Sequence, residues 1–206
     1  MADATVSIDR IESAQLLVPI VGTSPLIMHR FSEKAKLQML DAMQGKKTPK
    51  QAKDPEAEYQ AAFYRLKGDS GYGFPSTAFK LATVSAARFY GKDVSMASLK
   101  QFLFFGGEMG DEWEYLVPIH GEPQMREDVV RVGNGGTDLR YRPIFPEWQA
   151  TLEVSYIKSA LTEGSVLSLI DAGGMGVGVG EWRPEKKGNF GTYKVDSTRD
   201  IVRVAL

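Results

Sequence analysis

Cysteine is absent from the 206 residues, and histidine occurs only at His29 and His120. The first absence excludes disulfides, thiolate metal sites and cysteine nucleophiles, and fits a reducing compartment. Two histidines with scattered carboxylates offer no metal-ligand spacing, so neither a metal nor another cofactor is expected. Long apolar runs are missing as well. Stretches such as LLVPIV fall far short of the ~20 residues that a membrane-crossing helix needs. MADATVSIDR has neither the basic nor the apolar part of a secretory signal, so the expectation is a cytoplasmic protein with no membrane partner. Charge of one sign is also lacking. With a formal net charge of -1, any contact with nucleic acid must come from a local basic patch. Neither the GxxxxGK[ST] phosphate loop nor the GxSxG nucleophile elbow occurs, and no catalytic constellation stands in their place.

What is present suits a folded core: 43% of the residues are hydrophobic and 25% are charged, the proportions of a globular chain. QLLVPIV reads as a short buried strand, which Pro19 assigns to an edge or a bulge. Residues 32–43 have helical spacing behind Ser32 as N-cap, with Leu37, Leu40 and Met43 apolar. Residues 44–54 carry lysines, a glycine and a proline but no large apolar side chain, the composition of an exposed linker. Residues 75–90 form the clearest helix, with Phe79, Ala82, Ala86 and Phe89 on one stripe. Beyond residue 110 short strands dominate. In ATLEVSYI, Leu152, Val154 and Tyr156 alternate with polar positions, as in a half-buried strand. PEW reads as the hairpin turn before it. Residues 162–172 then form a helix, and GTYKV is the final strand. The order strand, helices, strands, helix, strand predicts an α+β, ferredoxin-like domain over residues 1–206. Its antiparallel sheet carries helices on one face, and residues 44–110 form an inserted arm.

The densest signal lies between that last helix and last strand, in AGGMGVGVGEWRPEKKGNFGTYKV. Gly176, Gly178, Gly180, Gly188 and Gly191 ask for positive φ or for close approach of another backbone, and clustered amides there would cradle phosphate. Arg183, Lys186 and Lys187 add cations, and Trp182 and Phe190 add flat faces for stacking bases. Arg140 and Arg142 share one face of the strand LRYRPIF, where two guanidiniums suit phosphates. Lys46, Lys47, Lys50 and Lys53 would form a mobile electrostatic clamp. Arg126 and Arg131 flank Glu127 and Asp128, and that local cancellation favours a structural role for the segment. His29 is the one candidate general base, because its pKa range lies near neutrality, yet the sequence shows no catalytic partner for it.

A glycine-rich loop between the last helix and last strand of a ferredoxin-like unit resembles the RAMP superfamily, the RNA-binding CRISPR proteins that form crRNA backbones or process crRNA. Gly176, Gly178 and Gly180, followed by Gly188 and Gly191, carry the resemblance. It covers residues 137–206 and, loosely, the first strand. The sequence also looks similar to small proteins of tailed bacteriophages. The resemblance implies a protein of a bacterial or phage-infected bacterial cell that binds single-stranded RNA or DNA, with copies assembling side by side on the strand. Two rivals stand beside this reading. One is a metal-independent endoribonuclease of the same fold with His29 as base. The other is a structural or protein-interaction subunit with no nucleic-acid role.

Overall fold

The computed structural model describes residues 10–46, 52–69, 71–92, 94–132 and 136–205. In chain order the strands are β1 (Ser13–Gly22), β2 (Leu26–Ile27), β3 (Tyr64–Arg65), β4 (Tyr72–Pro75), β5 (Leu103–Phe105), β6 (Glu108–Met109), β7 (Tyr115–His120), β8 (Gln124–Val132), β9 (Gly136–Phe145), β10 (Gln149–Ile157), β11 (Tyr193–Val195) and β12 (Val202–Val204). The helices are α1 (Glu33–Met43), α2 (Pro55–Ala61), α3 (Ser76–Ser85), α4 (Met96–Phe102) and α5 (Glu163–Gly176).

The main sheet runs β11-β1-β10-β7-β4-β3, with every neighbouring pair antiparallel. Within it, β1, α3, β7, β10, α5 and β11 follow one another as βαββαβ, and the lateral order β11-β1-β10-β7 is that of a ferredoxin-like unit. The alternation in ATLEVSYI has its expected result. Ala150, Leu152, Val154 and Tyr156 of β10 point inward beside Leu16, Val18 and Ile20 of β1, and α3 and α5 pack against each other over this core. Edge-to-face aromatic contacts run through it from Phe74 to Phe79 (6.1 Å), from Phe79 to Tyr193 (5.6 Å) and from Tyr193 to Trp148 (6.1 Å), each contributing roughly 0.5–1.5 kcal/mol beyond burial.

Four local expectations change. β1 is central rather than an edge: β10 lies on one side, β11 and β12 on the other. Pro19 is tolerated there because β12 pairs Gln15 to Leu17 and β11 pairs Ile20 to Gly22, so proline falls in the gap where no ladder N–H is required. PEW is a crossing between sheets rather than a hairpin turn, since β9 belongs to a second sheet, β2-β9-β8. Trp148 anchors that crossing, 4% exposed, its indole N–H donating to the Ser24 carbonyl at 2.9 Å. The helix paired with α5 is α3, which lies inside the span 44–110, whereas α1 leaves Leu37, Leu40 and Met43 exposed. Finally, α5 continues to Gly176, through glycines read as loop. A Cβ on Gly173 would sit 2.7 Å from the Ala82 carbonyl oxygen. Close approach of α3, not freedom of the chain, is therefore what glycine serves there.

Candidate nucleic-acid interface

Residues 177–192 lead from α5 to β11 along a path fixed by their own hydrogen bonds. The amides of Val177 and Gly178 both donate to the Gly173 carbonyl, at 3.0 and 2.8 Å, and Gly178 takes φ +70, the left-handed conformation that closes many helices. The Val179 amide donates to Gly191 at 2.9 Å, that of Glu181 to Ile27 at 3.0 Å, and that of Gly191 to Pro25 at 2.8 Å. Val177 and Val179 are buried. The segment is thus an anchored strap across residues 25–27. Its glycine amides at 178, 188 and 191 are committed to carbonyls of the protein itself, so these three do not form the open anion cradle that the sequence suggested.

Part of the strap borders a cleft of about 370 Å³, whose lining includes Arg183 but not Trp182, Lys186, Lys187 or Phe190. One wall is α3, through Thr77, Ala78 and Leu81; the other is the strap, through Val177 to Glu181, Arg183 and Glu185, and His29, Tyr64 and Phe74 lie between. Arg183 enters this cleft half-buried, donating to the Gly180 carbonyl at 3.1 Å and to Glu185 at 2.8 Å. Lys186 and Lys187 are exposed on the following turn, and among the described residues neither forms an ion pair. Trp182 stands 47% exposed with φ +54. Phe190 is half-buried beneath the Arg126 guanidinium, 5.1 Å from the ring centre, so one of its faces is already taken.

The pair on β9 separates. Arg140 is half-buried, while Arg142 is 2% exposed and turned inward. Arg142 meets Asp128 at 2.6 Å and Glu181 at 3.3 Å, although its Nε finds no acceptor. Arg126 holds the same aspartate at 2.8 Å, the structural role that the cancellation of charges in β8 suggested. Burial works to raise the Asp128 carboxyl, but hydrogen bonds and charge from Arg126 and Arg142 outweigh it and hold the group below the ordinary carboxylate value. Glu181 closes the network on the cleft side. His29 Nδ1 lies 3.6 Å from its carboxylate, and His29 first, with Arg142 and Arg140 behind it, holds the Glu181 carboxyl below its usual value despite partial burial. His29, Glu181, Arg142 and Asp128 therefore form one line from the cleft into the β8–β9 hairpin.

The lysine-rich stretch contributes less. Lys46 is exposed at the end of α1. Lys53 is a staple, pairing with Asp138 at 2.6 Å and Glu58 at 3.7 Å and also meeting the Leu139 carbonyl. Lys47 and Lys50 lie outside the described residues. Glu181 and Asp128 are the members of the site that sequence reasoning missed. The i, i+2 spacing of Arg126 and Asp128 was a readable signal of a shared strand face, whereas nothing local connects Glu181 to His29, 152 positions away. Among the described residues no cluster of three or more histidine and carboxylate groups is placed to hold a metal ion.

No protein-family model matches the chain, and no curated protein matches it in sequence. Solved structures do. A chain in the cryo-EM structure of the type III-B Cmr-beta complex bound to cognate target RNA superposes with a TM-score of 0.50 at 10% identity, over 93% of this chain. The present chain spans 61% of the length of that one. Cmr6 from Pyrococcus furiosus aligns over 91% of this chain and all of its own, with TM-score 0.46 and 9% identity. The likeness to the Cmr-beta subunit is one of fold, and at that level it agrees with the resemblance to the RAMP superfamily.

Proposed function

We propose that the protein binds single-stranded RNA along the cleft between α3 and the strap 177–191. The observation that carries the reading is the strap itself: Arg183 lines the cleft, and the neighbouring positions of the same segment present the exposed Trp182, Lys186 and Lys187, cations for phosphate beside a flat face for a base. RNA is favoured over single-stranded DNA because the subunit with the similar fold belongs to a complex solved on target RNA. Contacts of this kind read backbone and stacking, so sequence preference is weak. Side-by-side assembly of copies on one strand belongs to the same reading.

Fluorescence anisotropy with labelled RNA across a salt series tests it. Each phosphate neutralised adds about -0.7 to the slope of log K against log salt. Changing Arg183, Lys186 and Lys187 together to alanine removes two free cations and one shared with Glu185. The slope should therefore become shallower by about 1.4–2.1, with the melting temperature preserved. Equal affinity and equal slope for the variant would refute the loop as the binding site, and stronger binding of DNA than of RNA would refute the choice of nucleic acid.

One observation favours a second reading. His29 has a carboxylate partner after all, and both groups line the cleft. Such a pair suits proton abstraction from a ribose 2′-hydroxyl. Metal-independent RNA cleavage that disappears on His29→Ala would establish it, and intact RNA after long incubation would dismiss it.

A further inference from the structure

A second cleft, of about 390 Å³, is bordered by the start of α3, through Ser76, Thr77 and Lys80. Thr77 lines both clefts. The second is walled by aromatics that the protein leaves uncovered: Phe104 is 53% exposed, Tyr115 56% and Trp113 86%. Lys80 reaches over the Phe104 ring, 5.2 Å from its centre.

The turn that presents Trp113 is closed, not loose. The Gly110 amide donates to the Glu114 carbonyl at 2.8 Å, and Glu112 is held by Arg30 and, at 2.9 Å, by Lys36. Arg30 follows His29, a lining residue of the first cleft. Trp113 adopts φ +61, a conformation that bulky side chains rarely take and that clusters at ligand sites. Among the described residues the positive-φ positions other than glycine are Trp113, Trp182 and Lys187. Both exposed tryptophans are thus held outward by the same unusual backbone, Trp113 lining the second cleft and Trp182 in the strap that walls the first.

We propose that Phe104, Trp113 and Tyr115 form a second subsite, for unpaired nucleobases of the strand that occupies the first cleft; the inference rests on the reading of that cleft as an RNA site. Flat rings accompanied by a lysine suit bases. Glu114, which also lines this cleft, repels phosphate and directs the sugar-phosphate chain outward. Continuity through Thr77 gives one strand access to both places, which a separate protein ligand would not require.

The test uses the full chain and a ladder of labelled oligoadenylate RNAs from about 4 to 16 nucleotides, the span of single-strand sites. For Trp113→Ala we expect unchanged affinity for the shortest RNA and a loss of roughly 5- to 100-fold for the longest. The salt slope should stay constant, because stacking releases no counterions, and Trp113→Phe should retain most of the binding. Trp113 is almost fully exposed, so neither change touches the core. Parental affinity of Trp113→Ala at every length overturns the second subsite and would leave the patch as a protein-docking surface. Parental affinity and slope in the Arg183, Lys186 and Lys187 triple variant instead refutes the first cleft, so the two failures are distinguishable.

Discussion

Replacing Arg142 by methionine separates two roles that its position on β9 allowed, contact with phosphate and internal support. Methionine keeps the length of the side chain and removes its charge. Arg142 is 2% exposed and Asp128 9%, so the pair at 2.6 Å is a buried one. Deleting one partner of such a pair costs roughly 3–5 kcal/mol, because the other is left charged and uncompensated. Here Arg126 still holds Asp128 at 2.8 Å, and Glu181 keeps His29 and some solvent, which places the cost near the lower end, about 3 kcal/mol. In a chain of 206 residues each kcal/mol moves the melting temperature by about 2–4 °C, so the midpoint should fall by about 6–12 °C. Thermal denaturation by circular dichroism measures it, and adding Asp128→Asn to the variant should restore part of the loss by removing the stranded charge. A shift below about 2 °C would refute the buried network as a source of stability. If RNA affinity collapsed while the midpoint held, Arg142 would be a nucleic-acid contact as its sequence position first suggested.

Two further outcomes follow from the geometry. The Asp128 and Glu181 carboxyls both lie below their ordinary values of 3.8 and 4.5, so the stability they contribute is present above those values and lost as pH falls through the lower folded ones; urea midpoints should decline from pH ~5 downward, more steeply in the parent than in Arg142→Met, and parallel profiles would contradict the assignment. Gly173→Ala sets helix propensity against packing: alanine is the better helix former by about 1 kcal/mol, yet its Cβ would lie 2.7 Å from the Ala82 carbonyl oxygen, and overpacking of this kind costs about 1–3 kcal/mol. The melting temperature should fall, and a rise would show that α3 and α5 can separate without penalty.

Period and composition determined much of this protein. The alternation of β10, the apolar positions Phe79, Ala82 and Ala86, a helix starting near residue 162 and the broad order of elements were legible because strand and helix periods are local properties of the chain, whereas α3 ends at Ser85 and Phe89, read on the same stripe, is exposed. The ferredoxin-like arrangement followed from that order, and the basic, aromatic character of residues 182–190 was legible from composition. Tertiary structure alone decided what the glycines were for. A glycine that permits positive φ and one that admits a neighbouring helix look alike in sequence, and Gly178 and Gly173 are one of each. It also decided which cations are free. Arg142 and Lys53 are consumed by Asp128 and Asp138 from elsewhere in the chain, while Lys186 and Lys187 remain on the surface. The joining of His29 to Glu181 was equally hidden, because it depends on the strap 177–191 lying across residues 25–27. Pairing of charges is set by distance in space, and distance in space between remote segments has no local signature.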